Sequence, residues 1–516
     1  MSEPGRLLLL RLHPASWLFG IAGLLKQLLV PLVAVLILGH KDSQWVLWAL
    51  PAMLALTLHS VLRARAFRYE VTATELLVRE GVLDRSLRHI PLARIQNVTQ
   101  RQSFLHRLFG VTELRLESAA GGKPEAVMKV LSLAAAAQLE ALLRGAPAEK
   151  ATAADNNDAP RLLFAMPLRE VLLLGLTSNR GKLMVAALFG AVMPNQTLRS
   201  MAERWSEAPM TALAQAFSTD LHTQRWLHLA TMTVGLLLLG LVVLQLFSAA
   251  MALVKFYNFR LEQQGERLLS SSGLTTQTRA AVRLPRLQRW ELSASWLQRR
   301  LQRYQLSVTV AGVRHDEGKE GQFASFKELA PLATSAQAQA LLGICLPHLD
   351  WQGLAWQPLA AASLPRRLLG QARWMVLIWL ALMAGNLFLA APLAWSLMLG
   401  AGTVALTALT LHARAWVRFA AYALSGDVMV YRSGVFTQRW VIVSLAKLQS
   451  LRLHSSGLDR RFGLQHLQAD TQGGSGLTRA LDIPYLPAAE AEAIRAALWQ
   501  GLVTAANQPP QTTLRP

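Results

Sequence analysis

The sequence predicts an α+β membrane protein: six transmembrane helices paired in three hairpins, and three antiparallel β-sheet domains, each closed by a C-terminal helix. Three observations lead to this fold class: the composition, the positions of the long apolar segments and a threefold internal repeat. Of the 516 residues, 52% are hydrophobic and 16% are charged. This composition is too apolar for an ordinary soluble enzyme and too charged for a chain made of membrane helices alone.

The net charge of +21 is expected to come from basic residues that flank membrane spans on the cytoplasmic side. Anionic membrane lipids are therefore a predicted partner, and nucleic acid is not. The single cysteine, Cys345, excludes an intrachain disulfide and a cysteine metal cluster, which fits cytoplasmic domains. The N-terminal MSEPGRLLLLRLHPASW has no small-residue cleavage site after its apolar run, so no cleavable signal peptide is predicted.

The first and third hairpins follow directly from apolar segments near the length of about 20 residues that a spanning helix needs. Segments 17–38 and 45–62 are separated only by GHKDSQ, and tryptophans lie at their ends, where indole favours the interface. Segments 374–391 and 393–411 meet at Pro392. Each pair is therefore expected to form a tight helical hairpin.

The second hairpin is less regular. Segment 227–254 is the strongest span, but the segment before it holds two apolar runs divided by SNRGK. Either residues 182–194 span the membrane with help from their flanks, or the first run lies on the surface as an amphipathic helix. We favour an interfacial helix followed by a short span.

The distribution of positive charge predicts the orientation. Basic residues follow the even-numbered spans and precede the fifth, whereas the loop after the first span carries only Lys41, balanced by Asp42. Both termini and all three β-sheet domains are thus expected to be cytoplasmic. This orientation requires the doubtful third span. The basic residues concerned are Arg63, Arg65, Arg68, Lys255, Arg260, Arg366, Arg367, Arg373, Arg414 and Arg418.

A similar segment follows each hairpin. Gly81, Gly273 and Gly434 each stand 14 residues before an Ile-Gln or Leu-Gln pair. In the first and third copies another glycine follows, Gly110 or Gly463, whereas the second copy is degenerate there. Three such copies indicate an internal triplication. The first glycine of each copy is expected in a turn or bulge that needs a positive φ or close backbone approach.

Within a copy, the pattern is that of strands closed by a helix. EVTATELLVREGVL alternates like a β-hairpin, and TELRLESAAGGKPEAVMKVLSL predicts two further strands around a Gly-Gly turn. LAAAAQLEALLR, residues 133–144, predicts an amphipathic helix, and LPAAEAEAIRAALWQGL is its counterpart in the third copy.

Residues 69–110, with the order Y-x-V-T, L-x-x-x-x-G-V-L-x-R, I-P-L-x-R-I-Q-x-V and S-x-L-x-R-L-F-G, resemble the bacterial membrane-flanked PH-like domain of YdbS/YdbT-type membrane proteins. The three-copy arrangement is similar to the YdbT type. The resemblance implies three PH-like domains, each a bent seven-stranded antiparallel sheet with a C-terminal helix. It implies location in a bacterial cytoplasmic (inner) membrane and no established catalytic residues.

The predicted boundaries are the N-terminal segment 1–16, hairpin 1 at 17–64, PH-like domain 1 at 65–145, a linker at 146–166, the interfacial helix and hairpin 2 at 167–254, PH-like domain 2 at 255–350, a linker at 351–371, hairpin 3 at 372–413, PH-like domain 3 at 414–503 and a disordered tail at 504–516.

No catalytic, metal or cofactor motif is predicted; GGKP and GGSG are interpreted as hairpin turns rather than a phosphate cradle or a nucleophile elbow. The basic clusters are the remaining candidate site, for contact with lipid or a partner; the alternative interpretation is ordinary solvated arginine on strand edges. The candidates are Arg85, Arg88, Arg94, Arg101, Arg107, Arg283, Arg286, Arg289, Arg299, Arg300, Arg439, Arg460 and Arg461.

The sequence therefore favours a non-enzymatic, multi-pass membrane protein whose PH-like domains act as interaction or lipid-surface modules, by analogy in envelope maintenance or membrane-complex assembly. Another membrane protein of the same family is a second candidate partner. The alternative function is a transport or lipid-transfer component that uses the helix bundle or the stacked domains as a path. The near-absence of charge within the clear spans argues against an ion route but not against a lipid route.

Overall fold

The computed structural model describes residues 6–11, 66–72, 75–81, 85–92, 95–118, 125–143, 160–178, 226–311, 326–386, 395–471 and 480–507, with isolated residues between these ranges. The predicted spans 17–38, 45–62 and 182–194 lie outside the described ranges. Within these ranges, each repeat contributes seven strands, a short helix and a closing helix.

The first repeat contains β1 (Arg6–Arg11), β2 (Arg68–Thr72), β3 (Glu75–Glu80), β4 (Ser86–Pro91), β5 (Ile95–Ser103), α1 (Phe104–Leu108), β6 (Val111–Ser118), β7 (Ala126–Ser132) and α2 (Leu133–Leu143). The second contains β8 (Arg161–Ala165), α3 (Leu168–Thr177), α4 (Trp226–Phe256), β9 (Arg260–Gln264), β10 (Arg267–Ser272), β11 (Thr276–Arg283), β12 (Leu287–Ser295), α5 (Trp296–Arg300), β13 (Arg303–Val310), β14 (Glu328–Thr334) and α6 (Ser335–Cys345). The third contains β15 (Gln357–Pro358), α7 (Ser363–Asn386), α8 (Trp395–Phe419), β16 (Ala421–Ser425), β17 (Val428–Ser433), β18 (Thr437–Ser444), β19 (Leu448–His454), α9 (Gly457–Arg461), β20 (Leu464–Thr471), β21 (Leu481–Pro487) and α10 (Ala488–Asn507).

The seven strands of a repeat do not form one sheet, which differs from the expected bent seven-stranded sheet. The strand orders are β1-β2-β3-β4, β7-β6-β5-β11-β10-β9-β8, β14-β13-β12-β18-β17-β16-β15 and β19-β20-β21. Each seven-stranded sheet thus joins the second half of one repeat to the first half of the next. The physical reason is that an open strand edge carries unpaired N–H and C=O groups, and the neighbouring repeat pairs them.

Two compact units can be distinguished. The first comprises residues 1–119, 123–265 and 269–281, and the second comprises residues 120–122, 266–268 and 282–516. In the first unit, Tyr69, Leu76, Leu114, Met128 and Leu139 are buried in the core of the first repeat. In the second, a core of the third repeat gathers β16–β21 and α10, including buried side chains of Tyr431, Leu467, Ile483 and Leu498.

By length and composition, two stretches of the described helices can cross a membrane, Ala230–Phe256 and Ser363–Asn386. Their large apolar side chains are mostly exposed, for example those of Leu237 and Ile378. Such a surface suits lipid rather than water. The predicted sixth span corresponds to α8, which is helical over Trp395–Phe419. The six-span count is therefore not established by these two segments.

The first apolar run of the second hairpin, predicted to be an interfacial helix, forms α3 and packs along α4. The contact is close at Gly175, where a Cβ atom would collide with the backbone of Ala249. The Ser248 hydroxyl donates a hydrogen bond to the Gly175 carbonyl at 2.7 Å. The small residue therefore lets the two helix backbones approach.

Segments expected to be connections also take part in the fold. β1 lies in the predicted N-terminal segment, and β8 and β15 lie in the two predicted linkers. Each pairs with the next strand of its repeat: β1 with β2, β8 with β9 and β15 with β16. At the other end, α10 continues to Asn507, inside the segment predicted as a disordered tail.

Candidate functional site at the joints between repeats

A serine at the end of a strand marks equivalent positions in the three repeats. Ser103, Ser295 and Ser456 are the N-caps of α1, α5 and α9, and each side chain accepts a hydrogen bond from the backbone N–H three residues on. This arrangement satisfies one of the open donors at a helix start. Counting from these serines and from the turn glycines aligns the repeats residue by residue.

The two joints use the same strand pairing. In the first, β5 pairs antiparallel with β11, and Ser103 stands opposite Thr276. In the second, β12 pairs antiparallel with β18, and Ser295 stands opposite Thr437. Thr276 and Thr437 each lie three residues after a turn glycine, so the register is the same in both joints.

The turn glycines confirm the expectation of special backbone geometry. The φ angles are 105° at Gly81, 119° at Gly273 and 113° at Gly434. A Cβ atom at Gly273 would collide with the Thr276 carbonyl oxygen, and one at Gly434 would collide with that of Thr437. Glycine is therefore required at the point where the chain turns into the joining strand.

An arginine from the preceding repeat binds this turn. The Nη2 atom of Arg107 donates to the Leu274 carbonyl at 2.8 Å. The Nη2 atom of Arg299 donates to the Val435 carbonyl at 2.7 Å. Both arginines lie four residues after the N-cap serine, and both carbonyls belong to the residue after the turn glycine. We call Arg107, Arg299 and their equivalent Arg460 the joint arginines.

The second joint also carries a charge cluster. Glu291 in β12 pairs with Arg289 at 2.6 Å and lies 3.7 Å from Arg439 in β18. Lys447 adds a further link, because its Nζ donates to the Pro285 carbonyl. Burial lowers the pKa of Lys447, and the neighbouring charge of Arg286 lowers it further.

Lys447 and Cys345 line a cavity of about 240 Å³ that also contacts Trp290, His348 and Asp427. Burial raises the pKa of the Cys345 thiol to about 11, and the hydrogen bond with Trp290 only partly offsets this effect. At neutral pH the thiol is therefore protonated and a poor nucleophile. Among the described residues, no group of three or more His, Cys, Asp or Glu side chains is arranged to hold a metal ion.

Two strand edges, those of β4 and β19, take part in no joint among the described residues. In the described part of the chain, β4 pairs only with β3, and β19 pairs only with β20. Arg452 in β19 takes the position of Thr99 and Glu291, and Arg88 in β4 takes that of Ala280 and Val441. Both arginines are exposed, whereas Thr99 is 2% exposed and Ala280 is 7% exposed within a joint.

A second polar site fastens the third repeat to its own hairpin. Asp459, which is 2% exposed, lies 2.6 Å from the Nε atom of Arg366 in the first turn of α7. It also accepts from the Ser456 hydroxyl, and the His466 Nε2 atom is 3.4 Å away. Burial raises the pKa of the Asp459 carboxyl, but hydrogen bonds from Ser456 and Arg366 and the charge of His466 outweigh it and leave the pKa lowered.

An open cleft of about 590 Å³ lies at the base of the third hairpin. It is lined by Leu364 of α7 and by Leu411, Arg414 and Arg418 of α8, together with Ala415 and Val417. Arg414 and Arg418 are exposed, and neither has a side-chain partner among the described residues. The cleft thus combines apolar walls with two cations on one helix face.

The structure separates the thirteen predicted contact arginines into different environments. Arg107 and Arg299 form the joints, and Arg289 and Arg439 bind Glu291. Arg94 lies outside the described residues. The exposed members are Arg85, Arg88, Arg107, Arg283, Arg300, Arg439, Arg460 and Arg461, and the half-buried members are Arg101, Arg286, Arg289 and Arg299.

Sequence reasoning missed the joints, the ion pair of Asp459 with Arg366, and the cleft. The equal spacing of Arg107, Arg299 and Arg460 from the N-cap serines was a usable signal for the joint arginines. In the sequence, Arg414 and Arg418 follow an apolar span at helical spacing, and this pattern indicates only the orientation of the span in the membrane. No local signal indicated that Asp459 would face Arg366.

The comparisons agree with the repeat. A family model described as "Bacterial PH domain" matches residues 18–146, 212–344 and 370–500. The chain is similar to the "UPF0699 transmembrane protein YdbT" of Bacillus subtilis (strain 168), with 23% identity over 345 residues. That match covers 62% of this chain and 65% of the relative, slightly less than two thirds of its length. No solved structure matches.

Proposed function

Since the chain belongs to the bacterial PH domain family, we propose that it is a multi-pass protein of the bacterial cytoplasmic membrane whose PH-like domains serve as cytoplasmic interaction modules. In this role the domains engage anionic lipid at the membrane surface and help to assemble a membrane complex, without catalysing a reaction.

The observation that carries the proposal is the cleft at the base of the third hairpin. Arg418 lies in the last turn of α8, where the negative end of the helix dipole favours a positive charge, and Arg414 lies one turn earlier. Leu364 and Leu411 beside them suit the first carbons of acyl chains. An anionic lipid headgroup matches this combination, since each basic side chain near a lipid surface contributes roughly 1 kcal/mol.

The connection between helix and domain supports the same role. α8 ends at Phe419 and β16 begins at Ala421, so a single residue joins the membrane helix to the third domain. Arg366 of α7 binds the same domain through Asp459. Arg367 of α7 lies over the Trp416 ring at 3.8 Å. A domain held by these contacts stays at the membrane boundary.

Lipid retention by the full-length protein tests the proposal. The double variant Arg414→Gln/Arg418→Gln is purified from membranes in mild detergent, and retained lipids are quantified by mass spectrometry. We expect the affinity for anionic lipid to fall by roughly thirtyfold, since two lost cation contacts of about 1 kcal/mol each imply this factor, and retained anionic lipid should fall accordingly. The matched control Arg452→Gln/Arg495→Gln removes equal charge outside the cleft and should retain wild-type levels. Equal retention by both variants contradicts the proposal.

The orientation is tested separately. A green fluorescent protein fused after Pro516 should fluoresce, and an alkaline phosphatase fused at the same point should be inactive, because both report a cytoplasmic C-terminus. Active phosphatase would overturn the cytoplasmic placement of the third domain.

A further inference from the structure

The joints between repeats have a donor side and an acceptor side. The donor side is a strand edge, β5 or β12, followed by a joint arginine. The acceptor side is a turn glycine followed by the fourth strand of the next repeat, β11 or β18. Both joints use the same register and the same arginine contact. Two independent occurrences show that this is the way in which these domains associate.

The third repeat carries a donor side, β19 followed by Arg460, that is paired with no acceptor strand among the described residues. The edge of β19 is open in the described part of the chain. Arg460 is exposed, and its side chain has no partner among the described residues. Leu451 and Leu453 are half-buried, whereas Trp290 and Leu292, at the same positions in the second joint, are 2% and 5% exposed; in the first joint Val98 is half-buried. The second joint therefore covers these positions more fully than the described residues cover Leu451 and Leu453.

We propose that β19 and Arg460 form a docking site for another polypeptide that carries the turn glycine and fourth strand of a PH-like domain of this family. The incoming strand pairs antiparallel with β19, and Arg460 donates to the carbonyl after its turn glycine. This inference rests on the proposed role in complex assembly and names the class of partner.

The charge of Arg452 specifies that partner further. In the register of the two joints, the residue opposite Arg452 lies seven positions after the turn glycine, where Ala280 and Val441 stand. In a second copy of this chain that residue is Arg88. Two arginines directly opposite each other on neighbouring strands repel. The preferred strand therefore has an acidic or uncharged residue at this position and comes from a different chain.

The charges in the second joint favour an acidic residue on the strand that pairs with β19. Its equivalent of Arg452 is Glu291, which lies near Arg289 and Arg439. Opposite charge across this pair of strands is thus already used within the chain. In that joint Val441 lies directly opposite Glu291, and Arg439 reaches Glu291 diagonally from two residues away. A carboxylate opposite or diagonal to Arg452 provides the same kind of ion pair with the signs exchanged.

A charge-exchange experiment tests the site with full-length protein. The probe is a tagged copy with Arg88→Glu and Arg452→Glu. When two copies of the probe associate through this site, two glutamates lie opposite each other; when two copies of untagged wild type do so, two arginines lie opposite each other. Each protein alone should stay unassociated in detergent at micromolar concentration, and the mixture should associate at least about tenfold more tightly in a pull-down and by mass photometry.

The joint arginine supplies the matched controls. Arg460→Ala in both copies should weaken association in the mixture, whereas Arg461→Ala, its exposed neighbour, should not. An unassociated mixture overturns the proposal. Wild type that associates with itself as strongly as the mixture does shows that the occupant is a second copy, which also overturns it.

Anionic lipid retained by the same samples separates this inference from the proposed function. Arg88, Arg452 and Arg460 lie outside the cleft of Arg414 and Arg418, so lipid retention should equal that of wild type. Loss of association with normal lipid retention identifies a failure of the docking site alone.

Discussion

The first and third PH-like domains have the same backbone at the start of their short helices but use different side chains there. The third helical residue is His106 in α1 and Asp459 in α9. The ring of His106 packs against Phe19 with centroids 4.3 Å apart, whereas Asp459 forms a buried ion pair with Arg366. Phe19 lies in the first predicted span, and Arg366 lies in the first turn of α7. The repeat thus preserves the position of the fastening contact and not its chemistry.

The physical consequences of the two contacts differ. Ring packing contributes about 1 kcal/mol. A buried ion pair contributes little net stability when intact, but removal of one partner leaves an uncompensated buried charge. The third domain should therefore be much more sensitive to substitution at this position than the first.

Asp459→Asn is expected to have the largest effect. The amide preserves the size of the side chain and can still accept from the backbone, but it leaves Arg366 without a counter-charge. We expect the free energy of unfolding to fall by about 3 kcal/mol, measured by urea unfolding of the detergent-solubilised protein. His106→Asn should cost about 1 kcal/mol. Equal losses for the two variants would show that the fastening contacts do not differ as described.

The pH dependence sharpens the same contrast. The pKa of Asp459 is lowered in the folded protein, so its stabilising effect is complete above the ordinary aspartate pKa of about 3.9. The effect is lost as the pH falls through the lower folded pKa. The difference in melting temperature between wild type and Asp459→Asn should therefore shrink on acidification below about pH 4. A constant difference would contradict this assignment.

Gly434→Ala tests a feature that the repeats share. The left-handed φ and the collision with the Thr437 carbonyl oxygen should together cost about 2 kcal/mol. Gly426→Ala is the control, because its φ is also positive but no atom lies within 4 Å of the added Cβ; it should cost about 1 kcal/mol. Gly273→Ala should match Gly434→Ala, since both turns have the same geometry. Thermal unfolding measures all three variants.

The smallest effect is expected at the position where the second repeat departs from the others. Gly110 and Gly463 end their short helices with φ of 62° and 66°, and Gln302 adopts a φ of 50° at the equivalent place. Gln302→Gly should therefore stabilise the protein by up to about 1 kcal/mol. A lower melting temperature for this variant would show that the Gln302 side chain makes a contact worth more than the strain.

The sequence was informative wherever the physics is local. The equal spacing of Gly81, Gly273 and Gly434 predicted the repeat and the turns because a positive φ selects glycine without regard to the rest of the fold. The helix predicted at residues 133–144 is α2, Leu133–Leu143. The family matches confirm the three PH-like domains.

What the sequence did not predict depends on partners far apart in the chain. The strand order within a repeat is compatible with one closed sheet or with exchange between neighbours, since each strand has the same alternation in both cases. β15 has only two residues, too few for a periodic signal. Arg366 and Asp459 are separated by most of the third repeat, so their pairing emerges only from the folded structure.

The exchange of half-sheets imposes an order on biosynthesis. When the ribosome has completed β5, its partner β11 has not been made, and more than 150 residues, including α3 and α4, must first be synthesised. The β5 edge of the first domain therefore stays unpaired until β11 has been translated. The β12 edge likewise stays unpaired until β18 has been translated. Such an edge is prone to pair with the wrong strand. Any pause in translation or delay in membrane insertion between these strands lengthens the time during which misassembly competes with correct folding.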